Sequence, residues 1–302
     1  MELKDWTYEE LPEFTEPVEG VSVLSTTGDE VSVTYLSDVA YAEVGGVTLH
    51  LQILQPGSRN RPEMVCPCVV FVQGSAWFPQ NVYTQIPRLS KLAARGYVVA
   101  IVEYRHSGLA PFPAQIMDAR NAIRFLRKNA ALYHIDPDKI AVSGDSSGGH
   151  TAMFAGMIHD DERENLYPGV TAEVGAIVNY YGSTSVMAED SNPITVNHCA
   201  PDSPEGLVMG GVDLRDRPDL KRKLSVECNI GPDTVIPPTL IFHGTKDRTV
   251  NCAGSVALYR QMKKCGKDVT MYLLQGADHG GPEFWTENVL DIVDGFLRRC
   301  LL

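Results

Sequence analysis

The sequence predicts an α/β fold with a mostly parallel central sheet and helices on both faces. Short apolar, β-branched segments alternate with amphipathic helical segments over most of the chain, as in strands connected by crossover helices. A sheet-based unit of 302 residues also buries most of its apolar surface without disulfide or metal support. Length alone favours two domains, at about 150 residues each. We expect instead one domain over residues 31–302, preceded by an N-terminal extension over residues 1–30.

Each element is predicted from its local pattern. Three short strands begin the domain as an antiparallel meander, because β-branched runs are separated there by Ser-Asp and Gly-Gly; they cover residues 31–36, 39–44 and 47–54. The later strands are apolar runs at 68–72, 97–102, 140–142, 174–180, 239–242 and 269–274. Helices are predicted at 87–95, 113–132, 147–158, 256–264 and 284–297.

The helix over residues 113–132 has the clearest pattern. Its apolar residues recur at steps of three or four, at Ile116, Ala119, Ile123, Leu126 and Ala130. This spacing places them on one face of a helix, and such a face is buried against a sheet.

One long segment, residues 183–237, interrupts the alternation of strands and helices. It contains several Pro and Asp residues and no strong period, and it is too long for an ordinary loop of a compact domain. We expect a lid-like insertion over the carboxyl ends of the strands, where open α/β sheets bind ligands. The alternative is a surface excursion that contacts nothing catalytic.

The charge balance limits the classes of partner. The chain has 26 Lys and Arg against 38 Asp and Glu, a net charge of −12, which repels nucleic acid and anionic membranes over most of the surface. A small neutral or cationic substrate fits better. The start of the chain lacks the basic and apolar regions of a secretory signal, and no apolar run is long enough to span a membrane. We therefore expect a soluble cytoplasmic protein.

The seven cysteines predict neither a disulfide framework nor a metal centre. They are odd in number and scattered, with no C-x-x-C pair. We expect reduced, separately packed thiols, and no residue pattern implies a metal ion or an organic cofactor.

The most specific motif is G-x-S-x-G at Gly144–Gly148, between a predicted strand and a predicted helix. A serine at such an elbow lies in a strained turn, so the residues two before and two after it need to be nearly free of side chain. The helix start also offers unpaired N–H groups and a positive dipole end to a developing oxyanion. Ser146 is therefore the predicted nucleophile.

A serine nucleophile needs a histidine base that is oriented by a carboxylate. His279 follows the last predicted strand directly, whereas His134 and His159 lie at helix ends. Asp247 follows the preceding strand, so both loops are expected at the same edge of the sheet. The order Ser146, Asp247, His279 is that of α/β hydrolases.

Two other carboxylates lie close in sequence to the predicted triad, and neither is expected to orient the histidine. Asp278 is the runner-up for the third member, but a carboxylate adjacent in sequence to the histidine rarely reaches its neighbour's ring. Asp145 is expected to be structural and to pair with a basic residue such as Arg105.

The loop after strand 68–72 is expected to form an oxyanion hole. It reads Gln73–Trp77 and holds small residues that let the backbone approach the substrate. The backbone N–H groups of Ser75, Ala76 and Ser147 are the predicted donors. An ordinary tight turn with a core Trp77 remains the alternative.

Four aromatic side chains near predicted strand ends could line an acyl or sugar subsite: Trp77, Phe78, Tyr180 and Tyr181. Simple core packing is the alternative for each of them.

Taken together, the segments 69–77, 103–105, 140–149, 239–247 and 278–279 resemble the α/β-hydrolase superfamily, specifically acetyl-esterase and lipase-like carboxylesterases related to the hormone-sensitive lipase group. The resemblance spans residues 47–297 and implies an α/β-hydrolase fold. The oxyanion loop, together with residues 203–207 and 210–211, is most similar to bacterial esterases that remove acetyl or feruloyl groups from plant polysaccharide fragments. Where most lipase-like relatives have His-Gly-Gly-Gly, this chain has Gln73-Gly74-Ser75-Ala76.

The resemblance implies a serine carboxylesterase that forms an acyl-enzyme with a small-molecule ester. With the charge and hydropathy above, we expect no nucleic-acid partner, no membrane span and no cofactor. Two alternatives stay open. One is an amidase or peptidase of the same fold, of the formamidase or prolyl-oligopeptidase type, and the other is a catalytically silent binding protein.

Overall fold

An eight-stranded sheet forms the centre of the part of the chain described by this computed structural model, which comprises residues 3–157, 163–189 and 196–302. The strands are β1 Ser32–Val44, β2 Val47–Gly57, β3 Cys66–Val72, β4 Val98–Val102, β5 Ile135–Asp145, β6 Ala176–Tyr180, β7 Thr239–Gly244 and β8 Val269–Leu274. Their order is β1-β2-β4-β3-β5-β6-β7-β8. β2 is antiparallel to β1 and β4. The six remaining neighbours in the sheet, β4, β3, β5, β6, β7 and β8, run parallel to one another. The mostly parallel α/β-hydrolase fold is therefore confirmed.

Helices cover both faces of this sheet. They are α1 Ile86–Ala93, α2 Ala114–Lys128, α3 Ser146–Met157, α4 Val186–Glu189, α5 Pro204–Val208, α6 Pro218–Leu224, α7 Cys252–Lys264 and α8 Glu287–Leu301. Short 3₁₀ helices lie at Val82–Gln85, Val226–Asn229 and Pro282–Trp285.

The two faces of the sheet are separate cores, because side chains of a strand alternate between its faces. Val69 and Phe71 of β3 pack in the core that includes residues of α1 and α8. Val70 and Val72 pack in the opposite core, with α2, α3 and α7.

The first strand differs from the sequence-based prediction of two strands over residues 31–44. β1 is one continuous strand, and its register against β2 shifts between Leu36 and Val39. Asp38 has a φ of 52° there, a conformation that aspartate tolerates better than most residues. The Ser-Asp pair therefore forms a β-bulge rather than a turn, because an extra residue can be accommodated without ending the strand.

The described part of the predicted lid, residues 183–189 and 196–237, holds α4, α5 and α6. Val208, Leu224 and Val226 are buried in the core on the α3 side of the sheet. The Phe112 N–H donates to the Val208 carbonyl at 2.8 Å. Much of the insertion is therefore a part of the body, while residues 190–195 lie outside the described residues. A lid over the site stays a prediction.

The termini of the parallel strands position the functional residues. Because β3, β5, β6, β7 and β8 run parallel, the loops that follow them meet at one edge of the sheet. Residues 3–31 contain no helix or strand and are mostly exposed. Within the described ranges, the helices are too short or too polar to cross a bilayer.

Candidate active site

The predicted nucleophile lies at the junction of β5 and α3. Ser146 has a φ of 52°, a strained backbone conformation of the kind found at functional elbows. A Cβ on Gly148 would lie 2.0 Å from the Val72 carbonyl oxygen, and one on Gly144 would lie 2.3 Å from the Gly148 oxygen. The glycines of the motif are therefore required by the close approach of β3, β5 and α3.

Ser146, His279 and Asp247 are connected by hydrogen bonds. The His279 Nε2 lies 2.9 Å from the Ser146 Oγ, and its Nδ1 lies 2.7 Å from the Asp247 Oδ2. Since the carboxylate only accepts, Nδ1 carries the proton, and Nε2 is left to accept from the serine hydroxyl. This is the geometry that a histidine base requires.

Asp247 is held as an anion by four donors. Its Oδ1 accepts from the N–H groups of Thr249 and Val250, each at 2.8 Å, and its Oδ2 accepts from His279. The fourth donor is the Nε2 of His243, 3.1 Å from Oδ2. Burial alone would raise the pKa of Asp247, but hydrogen bonds from His243 and His279 outweigh it and hold this pKa well below its usual value.

The second imidazole on Asp247 is a residue whose role the sequence analysis missed. The His243 Nε2 faces two acceptors, Asp247 and the Val250 carbonyl at 3.0 Å, so it carries a proton. The His243 Nδ1 lies 2.7 Å from the Ser255 Oγ, which donates to it in the neutral tautomer. The available signal was the position of His243, four residues before Asp247.

The loop after β3 approaches the nucleophile with its backbone. The Gly74 N–H donates to the Asp145 Oδ1 at 2.7 Å, and Ala76 and Trp77 both have a φ of 55°. Ser147 is the second residue of α3, so its N–H belongs to a first helical turn without intrahelical acceptors.

The expectation for Ser75 needs correction. Its N–H is already used, because it donates to the Ser147 Oγ at 3.0 Å. Its hydroxyl donates to the Phe78 carbonyl at 2.6 Å and is not free to act as an additional donor. Among the described residues the Ala76 N–H has no acceptor, so Ala76 and Ser147 are the remaining candidate donors.

The expected pairing of Asp145 with Arg105 is also wrong. Arg105 pairs with Asp118 at 2.8 Å and with Glu164. Asp145 instead accepts from the Gln85 amide and the Tyr181 hydroxyl, each at 3.2 Å, in addition to the Gly74 N–H. Burial raises the pKa of Asp145, and the hydrogen bonds from Gly74 and Tyr181 oppose that shift.

The runner-up carboxylate takes no part in the contact with the imidazole. Asp278 pairs with Arg248, with its Oδ2 2.7 Å from Nε of that arginine. Its other oxygen accepts from the backbone N–H groups of Arg248 and His279. Asp278 therefore braces the loop that presents the histidine.

Two of the four aromatic side chains expected to line a subsite are core residues. Trp77 is 1% exposed and packs edge-on against His150. Tyr180 is 2% exposed and stacks on Phe242. Both follow the core-packing alternative, because their rings point from the strand edge into the apolar layers.

The other two aromatic residues lie nearer the surface or the site. Tyr181 lines the pocket and places its ring edge-on to the His279 ring, with centroids 4.8 Å apart. Phe78 is 40% exposed and does not line the pocket of Ser146.

A pocket of about 350 Å³ opens beside Ser146 and His279. This volume is at the small end of ligand sites in proteins. Gly74, Ser75 and Ala76 line one side of it. Arg88 also lines this pocket, and the sequence analysis did not single it out; its position in the first turn of an amphipathic helix gives no local signal.

Comparison with known proteins shows that the chain is similar to esterases. The sequence model of the BD-FAE family matches residues 51–262. Esterase LipC of Mycobacterium tuberculosis is 28% identical over 241 residues, which are 78% of this chain and 56% of LipC. Esterase LipQ of the same organism is 30% identical over 254 residues, 80% of this chain and 56% of LipQ. The chain thus spans about half the length of these curated relatives.

A solved structure resembles the chain over nearly its whole length. A truncated carbohydrate esterase from gut microbiota superposes with a TM-score of 0.77 at 27% identity, covering 90% of this chain and 98% of that one. The fold of this chain is thus similar to that of a carbohydrate esterase.

Proposed function

Since the chain belongs to the BD-FAE family and resembles α/β-hydrolase serine esterases, we propose that it hydrolyses carboxylic esters. In this proposal Ser146 is the nucleophile, His279 is the base and Asp247 is the carboxylate that orients His279. One observation carries this proposal: the two hydrogen bonds from Asp247 through His279 to Ser146, at 2.7 and 2.9 Å. They join three loops of one sheet edge at the wall of a pocket.

The proposed reaction begins when the Ser146 Oγ attacks the ester carbonyl carbon. The serine proton moves to the His279 Nε2, and Asp247 stabilises the imidazolium that forms. The carbonyl oxygen becomes an oxyanion, which accepts hydrogen bonds from the N–H groups of Ala76 and Ser147.

The tetrahedral intermediate then collapses. The bond from the carbonyl carbon to the alcohol oxygen breaks, and the alcohol leaves with the proton from His279. A water molecule repeats the sequence on the acyl-Ser146: His279 takes one of its protons, its oxygen attacks, and the acid departs as Ser146 regains its proton.

We further propose small or carbohydrate-linked acyl esters, of the acetyl or feruloyl type, as the substrates. The pocket volume of about 350 Å³ suits a small acyl group. The carbohydrate esterase from gut microbiota, similar over 90% of this chain, supports a sugar as the alcohol.

The test compares the wild type with Ser146→Ala on p-nitrophenyl acetate and on acetylated and feruloylated oligosaccharides. We expect the variant to lose at least about 10⁴-fold in kcat, because no other group takes over the nucleophile's role. Ser25→Ala, at an exposed serine outside the pocket, is the control and should retain the wild-type rate.

Three results would contradict the proposal. Equal turnover by Ser146→Ala would exclude Ser146 as nucleophile. Faster cleavage of p-nitroacetanilide than of p-nitrophenyl acetate would favour an amidase. Absence of turnover on the whole ester panel would favour a binding protein.

A further inference from the structure

We propose that Arg88 forms an anion-binding subsite in the pocket of Ser146, and that the preferred ester carries a carboxylate close to the scissile bond. This inference rests on the proposed esterase function and narrows its substrate class. It changes the expectation of a neutral or cationic substrate, which rested on the net charge of −12.

The position of Arg88 is the first support. The residue lies in the first turn of α1, is half-buried and lines the pocket together with Ser146 and His279. Its Nη1 donates to the carbonyl of Gly280 at 3.3 Å. The guanidinium therefore contacts the residue that directly follows the proposed base His279, in the same pocket.

The second support is that the charge of Arg88 is not paired within the described ranges. No carboxylate there lies within ion-pair distance of its guanidinium, whereas Arg95 binds Glu287 at 2.6 Å and Asp291 at 2.5 Å. Asp145, whose carboxylate lines the same pocket, accepts hydrogen bonds from Gly74, Gln85 and Tyr181 instead.

The chemistry of the guanidinium indicates the ligand class. Arginine has five N–H donors in a planar fork that matches a carboxylate with two parallel hydrogen bonds, and the Gly280 carbonyl occupies one of them. A partly buried charge is screened less by salt than the exposed acidic groups on the surface. The exposed acidic groups behind the net charge of −12 therefore do not exclude an anionic substituent from this pocket. Asp145 in the pocket wall already accepts three hydrogen bonds.

A purely structural role makes a different prediction. If Arg88 served only to hold the Gly280 carbonyl and the loop of His279, its removal would slow all esters by the same factor. An anion subsite requires instead that the loss depends on the charge of the substrate.

The experiment uses 4-acetoxybenzoate and 4-acetoxybenzamide, which share the acetyl group and differ in one anionic substituent on the alcohol. For each enzyme we compare two values of kcat/KM, one for 4-acetoxybenzoate and one for 4-acetoxybenzamide, and take the ratio of the first to the second. We expect Arg88→Met to lower this ratio by about ten- to a hundred-fold, the scale of hydrogen bonds to a charged group. Arg88→Lys should give an intermediate ratio, because it keeps the charge without the fork.

Lys91→Met is the matched control. This lysine is the next cation on α1, lies outside the pocket lining and faces Glu287 at 3.9 Å. Its substitution should leave the ratio at the wild-type value. A ratio that is equal in wild type and Arg88→Met overturns the subsite.

Binding separates this inference from the proposed function. Calorimetry with 4-hydroxybenzoate and 4-hydroxybenzamide measures the same preference without any chemistry. If the wild type hydrolyses no ester yet prefers the carboxylate in an Arg88-dependent way, the esterase proposal fails and the subsite stands. If it hydrolyses both esters without any preference for the carboxylate in rate or binding, the subsite fails and the esterase stands.

Discussion

At the scale of single residues, two histidine side chains donate hydrogen bonds to the same carboxylate, that of Asp247. His279 and His243 both donate to the Oδ2 of Asp247, at 2.7 and 3.1 Å. Because His243 also donates to the Val250 carbonyl, it joins two residues of the loop after β7, Asp247 and Val250, to the end of that strand. We interpret His243 as a positioning residue, since it reaches the nucleophile only through Asp247 and His279.

Replacement of His243 by Asn should lower kcat and leave KM nearly unchanged. Hydrogen bonds from His243 and His279 hold the pKa of Asp247 below its usual value, so without His243 this pKa rises and the carboxylate is held less firmly against the His279 Nδ1. We expect kcat to fall by about ten- to a hundred-fold, the scale of one hydrogen bond to a charged group. The measurement is kcat and KM for p-nitrophenyl acetate at pH 7.5.

Ser255→Ala is the companion variant for this prediction. It removes the hydroxyl at the His243 Nδ1, 2.7 Å away, without touching Asp247, and should give a smaller loss of kcat. A His243→Asn protein with the wild-type kcat would contradict the positioning role of His243.

At the scale of elements, the elbow depends on how closely α3 approaches β3. A side chain on Gly148 would meet the backbone of Val72, which belongs to a central strand and has no room to yield. Gly295 in α8 has no atom within 4 Å of the position that a Cβ would occupy. An alanine side chain would therefore clash with backbone at Gly148 but would fit without contact at Gly295.

The pair Gly148→Ala and Gly295→Ala tests this difference. We expect Gly148→Ala to lower the free energy of unfolding by several kcal/mol, because overpacking against fixed backbone exceeds the usual cost of about 1–3 kcal/mol. Gly295→Ala should raise it by about 0.5–1 kcal/mol through helix propensity. Urea unfolding measures both, and a Gly148→Ala protein as stable as the wild type would contradict the packing reported for the elbow.

At the scale of the whole molecule, the insertion is attached through buried polar contacts. The His150 Nε2 of α3 donates to the Leu224 carbonyl at 2.8 Å. On the other side, the His198 Nε2 lies 2.8 Å from the Thr249 carbonyl and its Nδ1 lies 2.9 Å from Glu205. The described part of the insertion thus connects the body to the loop that holds Asp247.

The contact of His150 predicts a loss of stability in acid. Burial lowers the pKa of His150 to about 4, below the value of about 6.5 in an unfolded chain. The unfolded state therefore binds more protons between these values, and the free energy of unfolding falls as the pH drops through this window. The expected loss between pH 7.5 and pH 5 is about 2 kcal/mol from this residue.

Urea unfolding of wild type and His150→Gln at pH 7.5 and 5.0 measures that contribution. Glutamine keeps a donor for the Leu224 carbonyl but does not titrate, so the variant should lose about 2 kcal/mol less than the wild type over this range. Equal losses in the two proteins would show that His150 is not the group responsible.

Much of the fold could be predicted from local patterns. The strands from β3 to β8 and the helices α1, α2, α3, α7 and α8 were expected near their observed positions, because each has its own hydrophobic period and turn residues. The bulge in β1 was not predicted. A residue with positive φ, such as Asp38, can either end a strand or form a bulge, and the pairing with the neighbouring strand decides which.

The candidate site divides in the same way. The sequence by itself determined the proximity of Ser146, Asp247 and His279, because each follows a strand and parallel strands bring their carboxyl ends together. Their catalytic roles stay predictions. Only the tertiary structure decided that the Ser75 N–H is used by Ser147, that Trp77 is buried, that His243 binds Asp247 and that Arg88 faces the pocket. These features depend on side-chain directions between segments far apart in the chain, which no local pattern records.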